Sequence, residues 1–304
     1  RKIESFTCPI VPRYSIPGIP SPHFSFICRS LKTTFAIMKI QSLITCALFM
    51  LISTSGASHE CWLEPTTFFL KSRESVPIRL YVGDGLRKDL EEIPYQADRT
   101  TTFRQINVAN EIDIERVINN GARPILTFSS TSAGNSMLVM ERNWSYSELD
   151  AKKFEDYVEE VGMHYIIEER LKRGETLTPG RERYRRSIKT LLQVGDKLDH
   201  TYNKVTGVKL EIIPLSNPYA KKNGDHLVFQ AFFNGKPLAN KIAFAENRMS
   251  TTQSMVTDAE GKFSMKIDRA GLWLVRLVYM QRCTEDCGTA DWESYWGTYT
   301  FGVK

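Results

Sequence analysis

Short β-prone segments separated by turn residues constrain the last third of this chain more than any other feature. Seven segments rich in β-branched and aromatic residues follow one another over residues 208–213, 226–233, 242–246, 253–257, 262–267, 272–279 and 297–303. Between them, residues 222–225, 234–237 and 257–261 place Gly or Asn where a turn needs a positive φ. Turns spaced about ten residues apart predict an immunoglobulin-like or transthyretin-like sandwich over residues 207–304.

A second group of β-prone segments predicts an N-terminal β domain over residues 59–146. Its members are residues 67–70, 76–82, 100–108, 112–118, 124–129 and 136–141. Asn119, Asn120 and Gly121 have the composition of a hairpin turn between two of these segments. The group resembles half of an antiparallel sandwich.

The pattern becomes helical in a middle segment, residues 147–206. Apolar residues recur at helical spacing between the capping pair Ser147-Glu148 and Gly162, which predicts a first helix. Residues 164–173 form a second predicted helix, and the arginine-rich residues 179–194 form a third. The arginines could form an anion-binding face or a solvent-exposed helix surface, and the interspersed glutamates favour the solvent-exposed surface. The predicted fold is therefore mainly β, with two β-sandwich-like domains and a helical insertion between them.

The first 58 residues are expected to direct export rather than to fold. Met38 and Lys39 precede an apolar run, and small residues at 53–58 follow it, which is the pattern of a signal peptide over residues 38–58. Cleavage after Ala57 or after Ser58 satisfies the small-residue rule equally well. Residues 1–37 are interpreted as an upstream extension that precedes the natural start. We expect a periplasmic or secreted protein.

The charge balance excludes one class of partner. Six of the 40 basic residues but only one of the 35 acidic residues precede residue 59, so the exported part is neutral overall. Such a chain has no electrostatic case for binding nucleic acid. The apolar run at residues 43–52 is shorter than the roughly 20 residues of a membrane-spanning helix, so no membrane span is expected in the mature chain.

Several stretches together resemble the domain-of-unknown-function family 4198 of exported bacterial proteins. They are residues 59–65 (HECWLEP), 80–83 (LYVG), 184–195, 210–214 (LEIIP), 235–238 (GKPL), 257–261, 271–274 (GLWL) and 291–296 (DWESYW). The resemblance runs from residue 59 to the C-terminus, and the chain departs from the usual pattern at Cys61, Cys283 and Cys287. It implies a link to periplasmic components of nickel and cobalt uptake, and hence a metal ion or an envelope transport component as partner.

Histidine is the residue type that makes a metal site conceivable. If cleavage follows Ser58, His59 offers its α-amine and its imidazole to one ion, and His164 or His200 would add a second imidazole. Nitrogen-rich sites of this kind suit nickel, cobalt or copper. His226, which opens a predicted strand, is interpreted as structural.

The cysteines indicate oxidising conditions. Cys283 and Cys287 lie in a polar loop, and a local disulfide is the first interpretation for an exported chain. A thiolate metal pair is the alternative. Cys61 is then the odd cysteine, either buried beside Trp62 or paired with one of the other two.

Catalytic motifs are missing from the sequence, so an enzyme is not predicted. A second hypothesis is a non-catalytic carbohydrate- or protein-binding module of the envelope. Its surface would consist of Asp291, Trp292, Glu293, Tyr295 and Trp296. Alternation of polar and aromatic residues also describes a strand edge, and this structural interpretation is the preferred one.

Overall fold

The structure is a computed structural model that describes residues 59–304. The predicted extension (residues 1–37) and signal peptide (residues 38–58) lie outside the described residues. The strands are β1 (Glu60–Pro65), β2 (Phe69–Leu70), β3 (Ser75–Asp84), β4 (Lys88–Ile93), β5 (Thr100–Asn107), β6 (Glu111–Asp113), β7 (Leu126–Ser129), β8 (Gly134–Leu149), β9 (Gly180–Val194), β10 (Leu210–Pro214), β11 (His226–Phe233), β12 (Lys236–Pro237), β13 (Ile242–Asn247), β14 (Gln253–Val256), β15 (Lys262–Lys266), β16 (Gly271–Arg282) and β17 (Trp292–Val303). The helices are α1 (Ala151–Glu160) and α2 (His164–Lys172).

One nine-stranded sheet organises the described residues. Its order is β14-β13-β16-β17-β9-β8-β5-β6, and β2 pairs with the end of β9. The contacts of β9 with β17 and with β2 are parallel, and the other pairs in this sheet are antiparallel. Two four-stranded sheets accompany it: β1-β3-β4 with β7 beside β3, and β10-β11-β12 with β15 beside β11.

Both faces of the central sheet are buried, because successive side chains of a strand point to opposite faces. On β8, Leu138 and Met140 belong to the core shared with β1 and β3. Met137 and Val139 belong to the core shared with β10 and β11. The prediction of a mainly β fold with two sandwich-like halves is confirmed, and the two halves share one sheet.

The two helices lie where the first two were predicted. Asp150 caps the first helix, because its side chain accepts a hydrogen bond from the Lys153 amide at 2.9 Å. The predicted cap at Ser147-Glu148 is therefore wrong. Phe154 and Tyr157 of α1 are buried against Trp292 and Trp296 of β17. The helices therefore cover one end of the central sheet.

The third predicted helix, residues 179–194, is wrong: this segment is strand β9. Arg181, Arg183 and Arg185 are spaced two apart, which places them on one side of a strand rather than around a helix. The following residues, from Ser187 to Val194, are buried on both faces, as in a central strand.

The predicted strand at residues 112–118 and its hairpin turn are also wrong. Strand β6 ends at Asp113, and a short 3-10 helix follows over Glu115–Val117. Strand β6 pairs with β5 in the central sheet, whereas β7 pairs with β3 in a smaller sheet. The turn at Gly121 therefore connects two sheets instead of two paired strands.

The described residues belong to one compact unit. Strand β8 continues past residue 146 to Leu149, and the predicted domain limits at residues 146 and 206 stay a prediction.

Candidate functional site

His59 lies immediately before β1, and its surroundings hold it in place. Its Nδ1 contacts Oδ1 of Asp84, at the end of β3, and both side chains are about 30% exposed. Its carbonyl oxygen accepts a hydrogen bond from Nη2 of Arg186 at 2.8 Å. Backbone and imidazole are thus both fixed, and Asp84 is the partner that the sequence did not indicate.

The carboxylate of Asp84 is held in its ionised form. Partial burial opposes ionisation, but the hydrogen bonds from His59 and Lys88 outweigh burial and lower the pKa of Asp84 below its usual value. The Lys88 ammonium lies 3.2 Å from Oδ2. A negatively charged oxygen therefore faces the His59 ring.

A buried ionic network positions the turn that follows Asp84. Nη1 of Arg276 lies 2.5 Å from Glu60 Oε1, and its Nε lies 2.8 Å from Glu246 Oε1. The other oxygens of these carboxylates accept from the backbone amides of Gly85 at 3.1 Å and Leu86 at 3.2 Å. Because each charge is paired and hydrogen-bonded, the turn is rigidly attached to β1 and to the central sheet.

Glycine is required at the centre of this turn. Gly85 has a φ of 63°, and a Cβ there would lie 2.2 Å from Glu246 Oε2. A sequence offers no means of finding such a contact, because Glu60, Glu246 and Arg276 are far apart along the chain. That Glu246 of β13 lies near Arg276 of β16 becomes visible only in the sheet register, where Phe244 is opposite Arg276.

The other candidate histidines are not assembled with His59. His164 is exposed at the first position of α2, and His200 is exposed with its ring 5.9 Å from that of Tyr202. The exposed His226 has its Nδ1 3.5 Å from Ser264 Oγ. Within residues 59–304, no group of three or more His, Cys, Asp or Glu side chains is placed to hold a metal ion.

The cysteine prediction is confirmed. Cys283 and Cys287 form a disulfide with their Cα atoms 5.8 Å apart, so their sulfurs are not a thiolate pair. Arg183 holds the enclosed loop by donating to the carbonyl oxygens of Asp286 at 2.7 Å and Glu285 at 2.8 Å. Cys61 is buried and unpaired, and burial raises the pKa of its thiol.

The predicted exposed surface at residues 291–296 is wrong for four of its five residues. Trp292, Glu293, Tyr295 and Trp296 are buried. They belong to β17, which lies between β16 and β9 inside the central sheet, so the alternative interpretation as a strand is correct but the strand is not an edge. Glu293 forms a buried ion pair with Arg183 at 2.6 Å.

Asp291, the fifth residue, lines an open cavity of about 370 Å³ between α2 and the start of β9. We call this cavity the arginine pocket; it is lined by Glu148, Arg170, Glu175, Thr178, Pro179, Arg181, Arg282, Asp291 and Trp292. Asp291 accepts two hydrogen bonds from Arg181, each 2.9 Å long. Arg282 stacks 3.9 Å above the Trp292 ring. The wall therefore offers closely spaced donors and acceptors, while the aromatic face is covered.

Fold and site together define a disulfide-containing β protein with a fixed histidine–aspartate pair where its first strand begins. The sequence model of the family described as "Domain of unknown function (DUF4198)" matches residues 57–281. The chain therefore belongs to this family, which confirms the resemblance.

No curated protein matches the chain. None of the helices described in residues 59–304 has the length and apolar character needed to cross a membrane.

Proposed function

We propose that this is an exported envelope protein that binds a nickel, cobalt or copper ion at His59, as a metal-binding or metal-uptake accessory protein. The observation that carries the proposal is the contact between the His59 imidazole and the Asp84 carboxylate. Borderline metals accept imidazole nitrogen together with carboxylate oxygen. The intrachain disulfide is compatible with export.

A third donor would arise from processing. Cleavage between Ser58 and His59 creates an α-amine on the same residue as the imidazole, so that one residue chelates through two nitrogens. With Asp84 these atoms form a two-nitrogen, one-oxygen donor set, which the side chains alone do not reach. The Arg186 hydrogen bond to the His59 carbonyl and the network around Gly85 reduce the ordering entropy that binding would cost.

The experiment is metal titration by calorimetry on protein that begins at His59, with nickel, cobalt and copper in turn. We expect His59→Ala, Asp84→Asn and a form that retains Ser58 each to weaken binding at least tenfold. His226→Ala is the matched control, since this exposed histidine lies on β11 of another sheet. Because ligands must lose their protons, affinity should also fall in acid. Equal affinities in wild type and the three site variants, or no binding by wild type, would refute the proposal.

The arginine pocket supports a second candidate function, non-catalytic binding of a carbohydrate. Its specific observation is the row of hydrogen-bonding groups formed by Asp291 with Arg181 and by Arg282 with Glu175. Hydroxyl groups both donate and accept, so a sugar suits such a wall. Titration with a panel of mono- and oligosaccharides tests it: binding that Asp291→Asn weakens and Glu159→Gln, an exposed change on α1, leaves unchanged would favour this function over metal binding.

A further inference from the structure

Two arginines face each other across the β8–β9 pair. Arg142 and Arg186 are direct partners in the antiparallel register. Like charges directly opposite one another destabilise a strand pair. Nearby arginines are neutralised, as Arg183 is by Glu293. Neither Arg142 nor Arg186 forms an ion pair with any carboxylate of residues 59–304.

The hydrogen bonds of the two guanidinium groups leave inner nitrogens unused. Arg142 is 7% exposed and donates through Nη2 to Gln96, while its Nη1 is buried without a partner. Arg186 donates through Nη2 to the His59 carbonyl, and its Nε is buried without a partner. A buried donor without an acceptor is costly, and more so when it belongs to a charged group.

The surrounding groups do not supply the missing negative charge. Cys61, near the two arginines, is a free thiol and offers no carboxylate oxygen. Glu182 forms no ion pair with either arginine: its Oε1 accepts hydrogen bonds from Tyr157 and Ser294, and burial raises its pKa to about 7, so it is neutral below that pH. Arg99 adds a further positive charge near Arg142.

We propose that a small oxyanion, carboxylate or phosphate-like, binds between Arg142 and Arg186 and accepts hydrogen bonds from Nη1 of Arg142 and Nε of Arg186. Guanidinium groups present forked N–H donors that match the oxygens of carboxylate, phosphate and sulfate. Both donor nitrogens are buried, but Arg186 as a whole is only partly buried, so the anion enters by displacing the Arg186 side chain, and Arg142 forms the inner wall. The site needs no metal and goes beyond the proposed function, although Arg186 links it to the backbone of His59.

The test is calorimetric titration with sulfate, phosphate and acetate as separate probes. The protein is first stripped of metal with EDTA and then exchanged into EDTA-free buffer, in which chloride keeps the ionic strength constant. We expect one anion per chain and a saturable rise in the melting temperature. Comparison of the three probes separates a carboxylate site from a phosphate-like one. A rise that never saturates is a general salt effect and overturns the proposal.

Three variants locate the site. Arg142→Gln removes the inner charge, and Arg186→Lys keeps a charge but removes the Nε donor. Each variant should bind the preferred anion at least tenfold more weakly than wild type does. Arg116→Gln, an exposed change away from β8 and β9, is the matched control and should bind as wild type does. In chloride buffer without added oxyanion, Arg142→Gln should melt no lower than wild type, because it removes an uncompensated buried charge.

Unchanged anion affinity in Arg186→Lys contradicts the proposal even if Arg142→Gln does not fold. Removal of metal before the titration makes the outcome independent of whether His59 binds metal.

Discussion

Glu182 is a buried carboxylate whose charge the fold penalises, and Glu182→Gln should make that penalty measurable. It lies on β9 and is 1% exposed. Its Oε1 accepts hydrogen bonds from the hydroxyls of Tyr157, at 3.0 Å, and Ser294, while its Oε2 is buried without a partner. Burial raises the pKa of Glu182 from 4.5 to about 7, even though these hydrogen bonds and Arg186 oppose the rise.

The size and sign of the effect follow from proton linkage. One pKa unit corresponds to ~1.4 kcal/mol, so a pKa raised from 4.5 to about 7 corresponds to about 3 kcal/mol. The folded state binds the proton more tightly than the unfolded state. This stabilisation is therefore complete below the unfolded pKa of 4.5 and is lost as the pH rises through about 7.

Glutamine is neutral at every pH and keeps an oxygen for Tyr157 and Ser294. Relative to Glu182→Gln, the wild-type protein should lose about 3 kcal/mol of unfolding free energy between about pH 4 and about pH 8. Urea unfolding followed by tryptophan fluorescence across this range measures the difference, in which the contributions of all other carboxylates cancel. For Glu91→Gln, an exposed change on β4, the curve of unfolding free energy against pH should run parallel to that of wild type. A Glu182→Gln curve that is also parallel to wild type, or a loss of Glu182→Gln stability relative to wild type as the pH rises, would contradict a penalty for the buried charge.

Three further changes test the packing around this strand. Replacing Cys283 and Cys287 with Ser should lower the unfolding free energy by about 2 kcal/mol, the loop-closure value for a ring this short, and wild type in reductant should match the variant. Gly180→Ala should cost about 1–3 kcal/mol, because its Cβ would lie 2.1 Å from carbons of the Phe154 ring; melting temperature reports the loss, and a wild-type value would mean that α1 shifts freely. Asp150→Ala should cost about 1 kcal/mol by removing the cap of α1, and Asp150→Asn should restore most of it in the same unfolding assay.

Local patterns predicted the elements whose neighbours along the chain are also their neighbours in space. Strand β11 coincides with the predicted residues 226–233, and the two helices follow the spacing of their own apolar residues. The Cys283–Cys287 bond was predictable for the same reason, since only three residues separate the two cysteines. In each case the deciding interactions are short-range.

The wrong predictions concern elements whose surroundings come from distant parts of the chain. Strand β9 runs parallel to β17, and its arginines find Asp291 and Glu293 more than a hundred residues away. Without those partners, an arginine-rich segment with scattered glutamates has the composition of a solvated helix. Likewise, Trp292 and Trp296 are buried among side chains from α1, α2 and β16, and the two helices are distant along the chain. Composition alone cannot distinguish a covered aromatic strand from an exposed binding surface.

The candidate site was predicted in part for the same physical reason. His59 is conspicuous in the sequence, because it adjoins a permitted cleavage point. Asp84 is not, because what matters is its position opposite the start of β1, where Glu60 pairs with Gly83. The supporting ion pairs of Arg276 join three strands from two sheets. The registers of β1 on β3 and of β13 on β16 therefore bring the residues of the site together.

The β8–β9 pair explains why unusual polar groups collect in one region of this protein. In the part of the pair that contains Met140 of β8 and Ile188 of β9, most apolar side chains belong to the two apolar cores. Beyond these residues a bulge lies between Arg142 and Ser145, and α1 replaces the covering sheet. Bulges re-aim side chains and are frequent beside functional sites. The arginine pair, the buried Glu182 and two residues of the arginine pocket, Glu148 and Arg181, all lie on this extension, outside the two apolar cores.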